Sequence, residues 1–269
     1  TLMSLKLNIK QPLHHFNLDI EVELAVSGIV GLFGDSGSGK TSLLRAIAGL
    51  NEKSSGDISF NNHQWQLNSG QLSNNSKKHN AQIPNIGMVF QDSRLFNHLT
   101  VAKNLSIVDQ LNSSSRLASL IEDFGIEPLL NKVCSLLSAG QQQRVAIVRS
   151  LVANPKLLLL DEPLSALDNN AKQQLMLALK NYSQQHQLPM IYVSHHIDEI
   201  DYLCDELMLI KQGKIVEHGD CHAVLTDHQL LPHHSDVLSI DETTKQVTLQ
   251  LSDEAFAQLS SHKTISIAK

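Results

Sequence analysis

The run Gly34-Asp35-Ser36-Gly37-Ser38-Gly39-Lys40-Thr41 most narrows what this chain can fold into. It follows an apolar pentapeptide, Ile29-Val30-Gly31-Leu32-Phe33, and leads into an apolar-periodic segment through Leu43, Leu44 and Ile47. Strand, glycine-rich loop and helix in that order make a phosphate cradle. Glycines let successive backbone N–H groups turn inward, and the helix start adds positive potential. Lys40 offers a charge to the terminal phosphates of a nucleotide. The Thr41 hydroxyl, followed by Ser42, offers a ligand to Mg2+.

The remaining bulk properties mostly exclude. A length of 269 residues suits one large domain, or one with an appendage. Apolar residues at 42% and charged residues at 18% describe an ordinary globular protein. A net charge of −6 opposes a nucleic-acid binder, which carries a basic face. No apolar run approaches the roughly 18–20 residues needed to cross a bilayer. Without an N-terminal signal pattern, the expected compartment is the cytosol. Cys134, Cys204 and Cys221 are odd in number and widely spaced, as reduced thiols would be. The 14 histidines read as solvated residues. Only His218 and His222 have a helical i, i+4 spacing, and Gly219 between them opposes a helix.

Along the chain, residues 5–33 read as extended, alternating at Leu5, Leu7 and Ile9 and again at Leu18, Ile20 and Val22. The helix after the phosphate loop is expected to end near Gly49. Ser54-Ser55-Gly56 is expected to turn the chain into a strand at 57–60. Residues 61–85 form a polar excursion rich in Asn, Ser, Gln and Lys, and 86–90 reads as a short strand. Residues 92–152 read as mostly helical, with Leu117, Leu120, Ile121 and Phe124 on one face and Gly125 as a stop. Buried strands follow at 157–160, 190–193 and 207–210, with a helix at 168–186 between the first two. This alternation predicts an α/β fold with a parallel sheet covered on both faces. Gln212-Gly213 reads as a hairpin turn.

Leu157-Leu158-Leu159-Leu160-Asp161-Glu162-Pro163 places two carboxylates at the tip of a wholly apolar strand. In a doubly wound sheet that edge is where ligands bind. Asp161 is suited to hold Mg2+, and Glu162 to polarise a water attacking the terminal phosphate. Leu137-Ser138-Ala139-Gly140-Gln141 then reads in two compatible ways. Ser138 with Gln141 fits a helix capping box, and the same free N–H groups suit a γ-phosphate.

That pentapeptide resembles the signature motif of ABC-type ATPases, usually written LSGGQ, with Ala139 in place of the first glycine. Other motifs of the family follow in order. Gln91, after Met88-Val89-Phe90, resembles the Q-loop glutamine, which contacts Mg2+ and water and senses a transmembrane partner. Ser165-Ala166-Leu167-Asp168 resembles the D-loop. His195 resembles the switch histidine on the γ-phosphate; His196 has no motif position. The resemblance covers roughly residues 3–231. It implies a P-loop ABC-type ATPase fold: a mostly parallel core sheet, an antiparallel β subdomain and a helical subdomain at about 92–152. It also implies a head-to-tail homodimer. Each ATP would lie between the phosphate loop of one subunit and Ser138, Ala139, Gly140 and Gln141 of the other. The adenine-stacking aromatic of the family has no clear counterpart: Phe16 is expected to point into the core, with His14 and His15 as alternatives.

The short stretch from Gln91 to Leu137 suits the compact helical subdomain of a transporter subunit and leaves no room for a long coiled coil. The text from Val89 to Val101, with 33–42 and 192–200, most resembles ATP-binding subunits of bacterial molybdate importers. Subunits for sulfate, maltose and other cargoes share most of it. The resemblance implies permease partners, indirectly a periplasmic substrate-binding protein, and a peripheral place on the cytoplasmic face of the inner membrane. A soluble cassette ATPase acting on nucleic acid or ribosomes is the alternative from another class; the acidic balance and single short cassette oppose it. A phosphate-loop kinase would have no use for 137–141. Residues 232–269, with strands expected at 236–240 and 246–251 and a third starting at 264–267, resemble the beginning of a small β-barrel regulatory domain. They are too few to close a barrel. The chain is expected to be truncated there, or the segment to pack on the ATPase or a partner.

Overall fold

In the computed structural model, the residues described are 3–26, 28–51, 53–61, 63–67, 85–109, 114–231, 236–241 and 246–250. The chain divides into two compact units, Thr1–Val224 and Leu225–Lys269. The first opens with β1 (Met3–Pro12) and β2 (Asn17–Val26), paired antiparallel with Leu5 opposite Leu24 and Ile9 opposite Ile20. Their strict alternation arises because one face is buried and the other is wet. After β3 (Ile29–Phe33) and α1 (Lys40–Ile47), β4 (Ser55–Phe60) and β5 (His63–Leu67) complete a four-stranded sheet of order β2-β1-β4-β5. Of the turn expected at Ser54-Ser55-Gly56, Ser55 and Gly56 are already strand, with Gly56 opposite Ile9.

β6 (Ile86–Val89) is followed by non-helical turns, then α2 (Val101–Ser106) and α3 (Ser114–Asp123). Two single-turn 3-10 helices precede α4 (Ala139–Val152). The 92–152 region is thus less helical than its sequence suggests. Gly125, at φ +58°, does end α3's path, and Leu120 and Phe124 are buried. β7 (Leu157–Asp161), α5 (Asn169–His186), β8 (Met190–Val193), α6 (Ile197–Leu203), β9 (Glu206–Lys211), β10 (Lys214–Asp220) and α7 (Cys221–Asp227) follow.

The six-stranded sheet has the order β10-β9-β3-β8-β7-β6. Strands β9, β3, β8, β7 and β6 run parallel, and β10 is antiparallel to β9. Gln212 and Gly213 turn that hairpin with φ of +47° and +79°, the left-handed pair a two-residue loop needs. Buried leucines fill every position of β7 up to Asp161, because helices cover both faces of a parallel sheet. One core holds Leu5, Leu7, Ile9, Ile20 and Phe60 of the antiparallel sheet together with Leu43, Leu44 and Ile47 of α1. Leu157, Leu159 and Ile191 of the parallel sheet belong to the same core. Each such fully buried side chain contributes about 1.5–3 kcal/mol.

Register sets the functional edge. Val193 pairs with both Leu32 and Asp161, and Val89 pairs with Leu160. The segments leaving these strands therefore emerge side by side: the phosphate loop, Glu162, Ser194-His195 and Gln91. In the second unit, β11 (Asp236–Asp241) and β12 (Gln246–Gln250) pair antiparallel, Ile240 opposite Val247. The strand expected at 264–267, and most of the polar excursion at 61–85, lie outside the described residues.

Candidate active site

The phosphate loop is exposed at Asp35, Ser36 and Gly37 and buried at Gly34, Ser38 and Lys40. Gly39, with φ +109°, stands just before α1 and offers no side-chain cap, so the first N–H groups of the helix remain available to an anion. Lys40 Nζ donates to the carbonyls of Gly34 at 2.6 Å and Asp35 at 2.9 Å. Burial lowers the Lys40 pKa, while the carboxylates of Glu162, Asp35 and Asp161 oppose that shift. The Ser38 hydroxyl is buried and, among the described residues, the one buried side-chain polar atom without a hydrogen bond. Its backbone is held: Gly213 N donates to Ser38 O at 2.9 Å, so the β9–β10 turn braces the loop.

Gly34 runs against β9. A Cβ built on it would stand 2.2 Å from the carbonyl oxygen of Ile210, and backbone cannot yield as a side-chain tip can. We expect Gly34→Ala to push the loop off the sheet and destabilise the protein by about 1–3 kcal/mol. Denaturant unfolding with and without nucleotide measures both the loss and the weakened grip.

Phe16 corrects its sequence reading. It is half-buried rather than in the core, and its ring lies beside the phosphate loop. A Cβ on Gly213 would come within 2.7 Å of Phe16 Cδ2, and one on Gly39 within 3.7 Å of Cε2. His14 and His15 are exposed, their ring centroids 6.5 Å apart.

At the tip of β7, Thr41 Oγ1 donates to Asp161 Oδ1 at 3.0 Å. Burial raises the Asp161 pKa; the Thr41 hydrogen bond opposes this and the charge of Glu162 reinforces it. Glu162 adopts φ +47°, a backbone state that costs a non-glycine residue about 1–3 kcal/mol and clusters at functional sites. Its amide bonds to Val193 O at 3.1 Å, and Ser165 N and Oγ donate to its carbonyl. Each carboxylate oxygen faces a different side chain. Gln91 Nε2 donates to Oε2 at 3.4 Å, and His195 Nδ1 lies 3.2 Å from Oε1. The His195 ring rests against that of His196, centroids 4.1 Å apart.

Ser138, Ala139, Gly140 and Gln141 open α4. Ser138 Oγ accepts from Gln141 N at 3.3 Å and Gln141 Oε1 accepts from Ser138 N at 3.2 Å, completing the capping box. Gly140 packs near Leu167 of the 165–168 loop. Asp168 stands just outside α5 as its cap, accepting from Ala171 N at 2.9 Å. No hydrogen bond among the described residues joins 138–141 to the phosphate loop. The structure thus gathers Lys40, Thr41, Asp161, Glu162, Gln91 and His195, and leaves 138–141 outside that cluster.

Two further sets of residues were not anticipated from sequence. Along α4, Gln143 Nε2 donates to Phe90 O, Ser150 Oγ to Met88 O and Arg149 Nη2 to Arg94 O, so this helix positions the strand and turn around Gln91. The buried carboxylate of Glu199 accepts from Lys172, Tyr192 and Ser194. Burial alone would raise its pKa, but those three donors hold it below the usual glutamate value. A faint signal existed: Glu199 adjoins the apolar positions Ile200 and Leu203 on α6.

The model of the ABC transporter family matches residues 18–165, and the chain belongs to that family. It is 40% identical over 216 residues to the molybdenum import ATP-binding protein ModC of Saccharophagus degradans, covering 79% of this chain and 58% of that one. Over 254 residues it is 39% identical to the ModC of Haemophilus ducreyi, covering 92% and 67%. Against Escherichia coli ModC it is 41% identical over 224 residues, covering 80% and 60%. The chain therefore spans 58% to 67% of the length of these relatives. Among solved structures it is similar to the ATP-binding cassette MJ0796, a dimer in a post-hydrolysis state bound to ADP and Pi. That match has 25% identity and a TM-score of 0.64, covering 82% of this chain and 99% of that one. It also shares the fold of a bacterial Atm1-family exporter with ATP bound, at 23% identity and TM-score 0.69, covering 84% and 40%.

Proposed function

We propose that the chain is the ATP-binding and hydrolysing part of an importer subunit whose cargo is molybdate. The observation that carries the chemistry is Glu162, presented on a strained backbone at the tip of β7. One of its oxygens faces Gln91 and the other His195, beside the cluster of Lys40, Thr41 and Asp161. Backbone N–H groups from Gly34 to Ser42 and the Lys40 ammonium hold the nucleotide phosphates, and the orphaned Ser38 hydroxyl fits the same anion. The hard oxygens of Thr41 and Asp161, with the Gln91 amide oxygen, fit Mg2+. The burial that raises Asp161 is what a bound cation would compensate. When bound, Mg2+ neutralises charge on the phosphates. Glu162 takes the proton of the attacking water, and His195 holds the γ-phosphate against it.

A second copy completes the site head to tail, bringing its own Ser138, Ala139, Gly140, Gln141 and Asp168. The relation to the dimeric MJ0796 cassette supports this. Phe96, 44% exposed, and Leu136, 79% exposed, lie on segments joined by Ser135 N donating to Asn97 O. They give a permease an apolar seat on the stretch that follows Gln91 in the chain. A periplasmic binding protein would deliver cargo to that permease. No described helix is long and apolar enough to cross a membrane, which suits a peripheral subunit on the cytoplasmic face. The acidic net charge of −6 speaks against nucleic acid as a partner. Residues 1–231 make the ATPase domain, and the β11–β12 pair begins a regulatory segment at 232–269.

The molybdate assignment follows the relatives' names. It is tested by reconstituting the full subunit with its permease and binding protein in vesicles. ATP-dependent uptake of molybdate in preference to sulfate is expected; sulfate-selective uptake would overturn the cargo and leave the ATPase reading standing.

A further inference from the structure

We infer that Glu199 is a positioning residue for hydrolysis, holding the three-residue link that presents His195. This deepens, and rests on, the reading of the site as an ATPase. Glu199 sits in the first turn of α6 and is 4% exposed. Its Oε2 accepts from Tyr192 Oη at 2.7 Å and from Ser194 Oγ at 2.8 Å, and its Oε1 accepts from Lys172 Nζ at 2.8 Å. The donors come from β8, from the link after it, and from the first turn of α5.

Between the end of β8 and the start of α6 lie only Ser194, His195 and His196. Ser194 is bound to Glu199 directly. His196 is bound through the same hydroxyl, because its backbone N–H donates to Ser194 Oγ at 3.0 Å. Both neighbours of His195 are therefore fastened to one carboxylate, leaving its imidazole beside Glu162 Oε1 and the His196 ring. Lys172 extends the arrangement, since its amide donates to the Asp168 carbonyl at 2.9 Å. The carboxylate thereby ties the His195 link to the end of the 165–168 loop. A buried ion pair adds little stability over a well-packed apolar side chain. What three donors converging on one carboxylate supply is a fixed geometry, and a misplacement near 1 Å costs hydrolysis about 100-fold.

The test uses the full subunit with MgATP and the variants Glu199→Gln, His195→Ala and their combination. Wild-type hydrolysis, measured first, tests the ATPase reading; its absence would overturn both proposals. With hydrolysis present, Glu199→Gln is expected to lower kcat by about 10-fold or more while KM for ATP moves less than about twofold. In the His195→Ala background the same substitution should change the residual kcat by less than about twofold, since the group it positions is gone. A folded Glu199→Gln protein with wild-type kcat would overturn the role of Glu199 alone. So would a loss of equal size with and without His195, which would mark a purely structural contribution. Ser194→Ala removes one donor and no charge, and carries the same pair of outcomes with an expected loss of about threefold should Glu199→Gln fail to fold.

Discussion

Glu162→Gln should abolish turnover while leaving nucleotide binding intact. The amide matches the carboxylate in shape, and the residues that grip phosphate are untouched: Lys40, Thr41 and the N–H groups of the loop. What disappears is the acceptor for the water's proton. General bases contribute about 100-fold to 10,000-fold, so single-turnover hydrolysis should fall by that much. The fold should survive, because the backbone of Glu162 is held by Val193 O and by Ser165, contacts that do not involve its side chain. With hydrolysis blocked, ATP binding should drive the chain into a long-lived dimer, visible as a shift in gel filtration that ADP does not produce. Hydrolysis at the wild-type rate in this variant would remove Glu162 from the chemistry and leave His195 as the nearest candidate base.

Local signals carried the elements well. Alternation in β1 and β2 and the unbroken leucines of β7 are consequences of one-sided and two-sided burial, and each can be read within ten residues. Glycine and lysine spacing marked the phosphate loop for the same reason. The features that escaped are those decided by partners distant in sequence. Phe16 looked like a core residue because it precedes an alternating strand. Its ring is instead placed by Gly213, which the β9–β10 turn brings up to the loop. Glu199 carries no motif role in the sequence, and only the fold brings Lys172 and Tyr192 to it. Residues 92–100 fall in the stretch, 92–152, that reads as mostly helical, yet they form turns fastened to α4 by Arg149 and Gln142. The strain at Glu162 has no sequence mark at all, since glutamate seldom adopts a positive φ.

Two inactive variants, mixed, should recover activity that neither has alone. Ser138 and Gln141 satisfy each other's backbone in the capping box, while the first-turn N–H groups of Ala139 and Gly140 have no acceptor within the helix. That leaves an anion-binding end on α4 with nothing bonded to it from the phosphate loop of its own chain. In a head-to-tail dimer it meets the loop of the other. Ser138→Arg fills this end with a long side chain and removes the cap, at about 1 kcal/mol. Lys40→Ala removes the charge that meets the phosphates. Each homodimer then has two dead sites. A mixed dimer concentrates both lesions in one site and leaves the other whole. Random pairing makes half of the dimers mixed, so the mixture should reach about a quarter of wild-type hydrolysis. Activity that rises with the mixing ratio to a maximum near equal amounts would identify the shared site. Zero activity in a sample where crosslinking proves mixed dimers would mean that each chain closes its own site. The free N–H groups of Ala139 and Gly140 would then serve α4 alone.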